Sequence, residues 1–141
     1  AALTLLLDGG KGAAAVLLAR ALAGEDAAQL AGLAAFLGHC FPIWLQFKGG
    51  KAVATFLGLT LALAWPVGIA CCLSWLAAAA ITRISSMGGL VSAASAPLWA
   101  LILGYDNATA LVAVLAALVF WRHSANIARI RAGTEPKIGQ K

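Results

Sequence analysis

Apolar residues run along this chain in long blocks, not in the alternating or three-to-four spacing of half-exposed elements. Ala1 to Leu22 forms one block, broken only by Asp8, Lys11 and, near its end, Arg20. Ala27 to Phe47 carries no charged residue, nor does Ala52 to Thr82; Ile84 to Trp121 carries only Asp106. A helix that spans a bilayer needs about 20 mostly apolar residues. The first two blocks therefore predict one helix each, separated by the short polar turn "AGEDA". Gly38, His39 and Pro42 should end the second helix early. The third block is too long for one span and short for two. A break near Trp65 and Pro66 gives two short helices, and a break at "GYDN" divides the fourth block in the same way.

Charge supports this division. Six segments place Lys48, Lys51, Arg83, Arg122, Arg129, Arg131, Lys137 and Lys141 on one side of the membrane, with Glu25, Asp26 and Asp106 on the other. Arg20 is the single basic residue on the acidic side, where it can snorkel to the interface. By the positive-inside rule the lysine-rich face is cytoplasmic. Composition agrees: 62% of the 141 residues are hydrophobic and 11% charged, against about 25% charged in soluble domains. Mean hydropathy is +0.93. The expected architecture is an all-α polytopic membrane bundle of about six segments, forming one domain over residues 1–141. A net charge of +5 suits anionic lipid or an anionic substrate. The basic residues are too scattered for a nucleic-acid surface. Cys40, Cys71 and Cys72 lack metal-site spacing and read as small apolar packing residues, so neither metal nor cofactor is expected. The chain begins at Ala1 inside an apolar block, and a further N-terminal piece is expected.

The stretch "FKGGKAVAT" places two glycines between Lys48 and Lys51. Gly49 and Gly50 let backbone amides approach an anion, and a helix N-terminus following Lys51 favours negative charge. The pattern is not a Walker A loop, because Leu45 and Ala52 stand where that motif needs glycine and a hydroxyl. A plain cytoplasmic basic loop fits equally well on physical grounds. Asp8 and Lys11 share a helical face and should form an ion pair, which is structural or functional. Arg83 with Ser85 and Ser86 can clamp a phosphate, or Arg83 can simply set topology. His123, Asn126 and Arg129 share one helical face loosely, with Glu135 and Lys137 beyond Gly133; the plain alternative is a basic tail that binds headgroups. No Ser-His-Asp or Cys-His set identifies a nucleophile.

Taken together, these motifs resemble a known family. "GHCFPIWLQFKGGKAVAT" is similar to the Gly-His-x-Phe-Pro…Phe-Lys-Gly-Gly-Lys motif of the bacterial acyl-phosphate:glycerol-3-phosphate acyltransferases, the PlsY family. "LLLDGGKG", "RISSMGGLVSAASAP" and "HSANIARIRAGTEPKI" resemble three further family features in the same order. The resemblance implies a seven-helix inner-membrane enzyme that moves a fatty acyl group from acyl phosphate to the first hydroxyl of glycerol 3-phosphate. It implies that Gly38 to Lys51, including His39, belongs to the glycerol-phosphate motif. It also implies that His123, Asn126 and Glu135 are the catalytic polar residues, with Ser85 and Ser86 in a matching segment. Asp8 and Lys11 are supporting residues. Two departures stand out. Ala52 replaces a glycine common after Gly-Gly-Lys. The family's first motif, a Gly-Ser-Gly-Asn…Asn…Arg loop, is absent from the chain, so its site is expected to be incomplete.

Acyl phosphate is already activated, so positioning and phosphate neutralisation can supply most of the acceleration without an acyl-enzyme. The general base is His123 or the substrate phosphate. The rival class is an anion transporter, which needs a midplane site reachable from both sides. An enzyme needs its polar groups gathered at one face.

Overall fold

The computed structural model describes residues 2–46 and 49–140. Seven α-helices follow in order: α1 Ala2–Ala23, α2 Glu25–Cys40, α3 Val53–Leu63, α4 Trp65–Thr82, α5 Ser85–Ile102, α6 Asp106–Arg122 and α7 Ser124–Ala132. The expected breaks all occur, with one change of size. The turn between α1 and α2 is Gly24 alone, whose φ of 92° is a conformation open to glycine, and Glu25 and Asp26 already form the first turn of α2. After Cys40 the chain leaves helical geometry, with a single 3-10 turn at Ile43–Leu45.

Four helices, α1, α2 with its following turn, α4 and α5, are long and apolar enough to cross a membrane; α6 reaches that standard only together with α7 across a 60° bend. The count of six expected spans is therefore not met by length and composition. The reason lies in α3, whose 11 residues extend about 16 Å against a hydrocarbon core of roughly 30 Å. The all-α polytopic membrane architecture stands.

Close backbone contact builds the bundle. A Cβ on Gly58 of α3 would fall on the carbonyl of Gly9 in α1, so these helices touch through two glycines. Thr55 Oγ1 donates to the Asp8 carbonyl at 3.0 Å across the same seam. On the other side Ser92 donates to the Cys71 carbonyl at 2.9 Å, and Trp99 Nε1 donates to Ser74 Oγ at 2.9 Å, tying α5 to α4. Phe36, Phe56, Leu59, Val67, Cys71, Val112, Leu115 and Val119 fill the core, while large apolar residues such as Leu6, Leu22, Trp65, Ile81 and Ile102 face outward. In water that surface would be unfavourable; in lipid it is the expected exterior.

Arg20 has fixed partners at the ends of neighbouring helices. Its guanidinium donates to the Ala62 and Leu63 carbonyls at 2.8 and 2.9 Å, and to both Glu25 oxygens at 2.7 and 3.1 Å. The carbonyls at a helix C-terminus lack intrahelical donors. Arg20 supplies them where α3 stops short. On the opposite side of the bundle, Arg122 does comparable work. It donates to the Gly49 and Gly50 carbonyls at 3.0 and 3.3 Å and lies over the Phe41 ring at 5.2 Å.

Candidate functional site

The start of α3, the end of α2 and the bend between α6 and α7 meet around a cavity of about 790 Å³. Its polar wall contains Asp8, His39, Lys51, Ser85, Ser86, His123, Asn126, Arg129 and Glu135, contributed by α1, α2, α5 and α7, the loop before α3, the bend at His123 and the tail. Its apolar wall is made of Leu5, Val53, Leu57, Cys72, Trp75 and Leu76. A cavity polar at one end and greasy along its side matches an amphiphile better than a small hydrophilic solute.

The tail closes one part of this wall. Gly133 takes φ 75° and ends α7, so the chain turns back. Ile138 N–H then donates to the Arg83 carbonyl at 2.7 Å. Glu135 is thereby brought to the cavity with its side chain only 6% exposed. Its Oε1 accepts from Ser86 Oγ and Asn126 Nδ2, each at 2.6 Å, and its Oε2 accepts from Arg129 Nε at 2.6 Å. Burial alone would raise the carboxyl pKa. The three hydrogen bonds outweigh it and hold the group at about 2, below the ordinary 4.5. Glu135 is thus an anion saturated by donors, which organises its neighbours and is a poor proton acceptor near neutral pH.

His123 is buried at the bend. Its Nδ1 lies 2.7 Å from the Val119 carbonyl. A carbonyl only accepts, so Nδ1 carries the proton and Nε2 carries the lone pair. Gly89 of α5 leaves room beside that nitrogen, since a Cβ there would lie 3.5 Å from Nε2. Asn126, 4% exposed, donates through Nδ2 to Glu135; its Oδ1 is buried without a donor among the described residues. That oxygen is suited to accept a hydrogen bond from a hydroxyl.

The other expected residues divide. Asp8 and Lys11 do pair, at 3.1 Å, and Asp8 lines the cavity. Lys11 also reaches His39 Nδ1 at 2.7 Å, a cross-helix contact that spacing along the chain does not reveal. Lys51, Ser85 and Ser86 line the cavity as expected, whereas Gly38 is exposed with open space around it and does not. Arg83 is exposed, with φ 61°, and offers its backbone carbonyl to the tail; its side chain is not part of the wall. Lys48 and Phe47 lie outside the described residues.

The two glycines meet a steric need. Neither has a positive φ. Gly49 donates its amide to the Cys40 carbonyl at 2.9 Å, so that N–H is already committed, and a Cβ there would strike the His39 carbonyl. A Cβ on Gly50 would lie 2.5 Å from His39 Nε2. Absence of side chains lets the loop lie flat against the end of α2. The residue with left-handed backbone is Ala52, at φ 61°. The apolar wall was not legible as a site component, because Leu5, Leu57 and Trp75 come from segments distant in sequence.

The sequence profile described as glycerol-3-phosphate acyltransferase matches residues 1–133. The chain is 74% identical over 141 residues to the glycerol-3-phosphate acyltransferase of Ruegeria pomeroyi, covering all of this chain and 70% of that protein. It is 74% identical over 127 residues to the enzyme of Ruegeria sp. TM1040, covering 90% of this chain and 63% of that one. It is also similar to a crystal structure of PlsY, an integral membrane glycerol 3-phosphate acyltransferase, in its glycerol 3-phosphate form, with a TM-score of 0.92, 35% identity, and coverage of 98% of this chain and 70% of the other. The lysophosphatidic acid form of that protein gives the same TM-score and identity, with 72% of it covered. With its apolar helices, this is a multi-pass protein of the bacterial inner membrane. The chain belongs to the glycerol-3-phosphate acyltransferase family.

Proposed function

We propose that this chain provides the cavity in which a fatty acyl group passes from acyl phosphate to the first hydroxyl of glycerol 3-phosphate, giving lysophosphatidic acid and inorganic phosphate. The observation that carries this reading is the two-sided cavity: cations, donors and a free imidazole nitrogen at one end, an apolar wall along its flank.

In this reading Lys51, Arg129, Ser85 and the first turn of α5 receive phosphate oxygens. The acyl chain lies along Leu57, Cys72, Trp75 and Leu76. Asn126 Oδ1 accepts from the second glycerol hydroxyl and so orients the first. The hydroxyl oxygen attacks the acyl carbonyl carbon, its proton passes to His123 Nε2, and the carbonyl–phosphate C–O bond breaks with its electron pair on phosphate. The released phosphate then takes the proton from the imidazolium. No acyl-enzyme is needed, because phosphate is already a good leaving group. The polar end faces the cytoplasm by the distribution of lysines and arginines. The chain crosses six times, with α3 and α4 forming a short re-crossing pair.

The transporter alternative loses its strongest support here. Asp8, the ionisable residue that would mark a midplane site, lines the same cavity as the other polar groups.

The test is Asn126→Ala, assayed for acyl transfer. Loss of a positioning contact is expected to lower kcat on the order of a hundredfold while the protein remains folded in the membrane. A variant lacking Arg131 and Lys137, both exposed, is expected to turn over normally. Normal turnover in Asn126→Ala, with loss only in the charge-depleted variant, would refute the assignment and favour a headgroup-binding tail.

A further inference from the structure

The cavity contains two histidines, and their outer contacts differ in kind. His123 presents Nδ1 to a carbonyl, an acceptor. His39 presents Nδ1 to the Lys11 side chain at 2.7 Å. Lys11 is paired with Asp8 Oδ1 at 3.1 Å, and as an ammonium it has three donors and no acceptor. A protonated His39 Nδ1 would place two donors head to head at that distance. The contact is satisfied only if His39 Nδ1 holds a lone pair and accepts. The ring proton then resides on Nε2, the edge that lies over Gly50 at the cavity wall.

We infer that Lys11 is a positioning residue that fixes His39 as its Nε2–H tautomer, so that the two cavity histidines are held in opposite tautomers. His39 offers a hydrogen-bond donor to substrate phosphate while His123 offers an acceptor. The phosphate-binding half of this inference rests on the function proposed above; the tautomer half does not. Asp8 completes the device. Its Oδ1 bonds Lys11 and its backbone carbonyl accepts from Thr55, so the ammonium is held between α1 and α2 with α3 locked alongside. Lys11 is half-exposed and Asp8 more buried, at 46% and 27% side-chain exposure, which leaves the lysine flexible enough to require the Asp8 tether.

The arrangement has a clear chemical use. A neutral donor–acceptor pair lets one cavity bind an anion and remove a hydroxyl proton without charging both rings. Two histidines with the same tautomer would supply either two donors or two acceptors to the substrate.

The experiment uses the protein with 15N-labelled histidine, reconstituted in lipid nanodiscs, with His39 and His123 resonances assigned by single histidine-to-glutamine variants. The 15N shifts distinguish a protonated from an unprotonated ring nitrogen. Wild type is expected to show His39 protonated at Nε2 and His123 at Nδ1. Lys11→Met is expected to release His39 into a mixture of tautomers, while Lys11→Arg, which preserves donors, retains the Nε2–H form. In acyl-transfer assays Lys11→Met is expected to raise the glycerol 3-phosphate KM by about tenfold with a smaller change in kcat. A wild-type His39 protonated at Nδ1, or a tautomer unchanged by Lys11→Met, would overturn the inference. A KM unchanged by Lys11→Met despite the tautomer shift would overturn its phosphate-binding half. Absence of acyl transfer in wild type, with the tautomers as stated, would instead defeat the proposed function and leave the positioning role intact.

Discussion

Replacing Glu135 by glutamine tests whether the saturated carboxylate organises the site. The substitution preserves shape and removes charge. Glutamine Oε1 can still accept from Ser86 and Asn126, but each bond falls from a charge-assisted one, about 1.5–3 kcal/mol, to a neutral one, about 0.5–1.5. The third bond is lost, since the new amide group would face the Arg129 Nε–H as a second donor. Arg129 is 44% exposed and regains water, which offsets part of that loss. A net destabilisation of about 2–4 kcal/mol is expected. Thermal unfolding in detergent measures it, and acyl transfer should fall in parallel as Asn126 and Arg129 lose their shared anchor. The pH dependence gives the sharper criterion. Because folding lowers this carboxyl from 4.5 to about 2, its contribution is fully present above about 4.5 and is lost as pH falls towards 2. The gap between wild type and variant should therefore be widest near neutral pH and shrink through that window. Equal unfolding temperatures at neutral pH, or a gap that does not change below pH 4.5, would refute the reasoning.

Ala52→Gly should stabilise the protein by up to about 1 kcal/mol, because the alanine holds a left-handed conformation while glycine adds some unfolded-chain entropy; a rise of a few degrees in Tm with acyl transfer retained is the expected reading. Gly58→Ala should cost at least about 1–3 kcal/mol, since its Cβ would meet the Gly9 backbone, and a wild-type unfolding temperature would show that α1 and α3 separate easily.

Much of the helical plan was legible because membrane sequence is punctuated coarsely. Pro66 and the change at Gly104 mark where apolar runs divide, and both breaks occur as read. Length was the weaker guide. Arg20, some forty residues earlier, caps the end of the 11-residue α3, and nothing near Leu63 announces that partner. The site was legible as a set of residues and poorly legible as geometry. His123, Asn126 and Glu135 were expected together, yet the turn at Gly133 and the Ser86 contact decide that Glu135 is a saturated anion. Gly49 and Gly50 stand out in sequence for backbone freedom, and the structure adds a steric requirement, imposed by His39 and Cys40 packed against them. Contacts such as Lys11 with His39 and Arg122 with Gly49 join distant segments and have no periodic signature.

The cap on α3 also has a consequence for biogenesis. Arg20 is a cation inside an apolar segment, and during synthesis it emerges long before the carbonyls of Ala62 and Leu63 exist. Glu25 follows it by only five residues and binds it with two hydrogen bonds. The α1–α2 hairpin thus contains the counter-ion for its own cation without help from any later segment. The guanidinium donors left over are the ones that α3 uses, so one side chain joins the first hairpin to the end of that short helix.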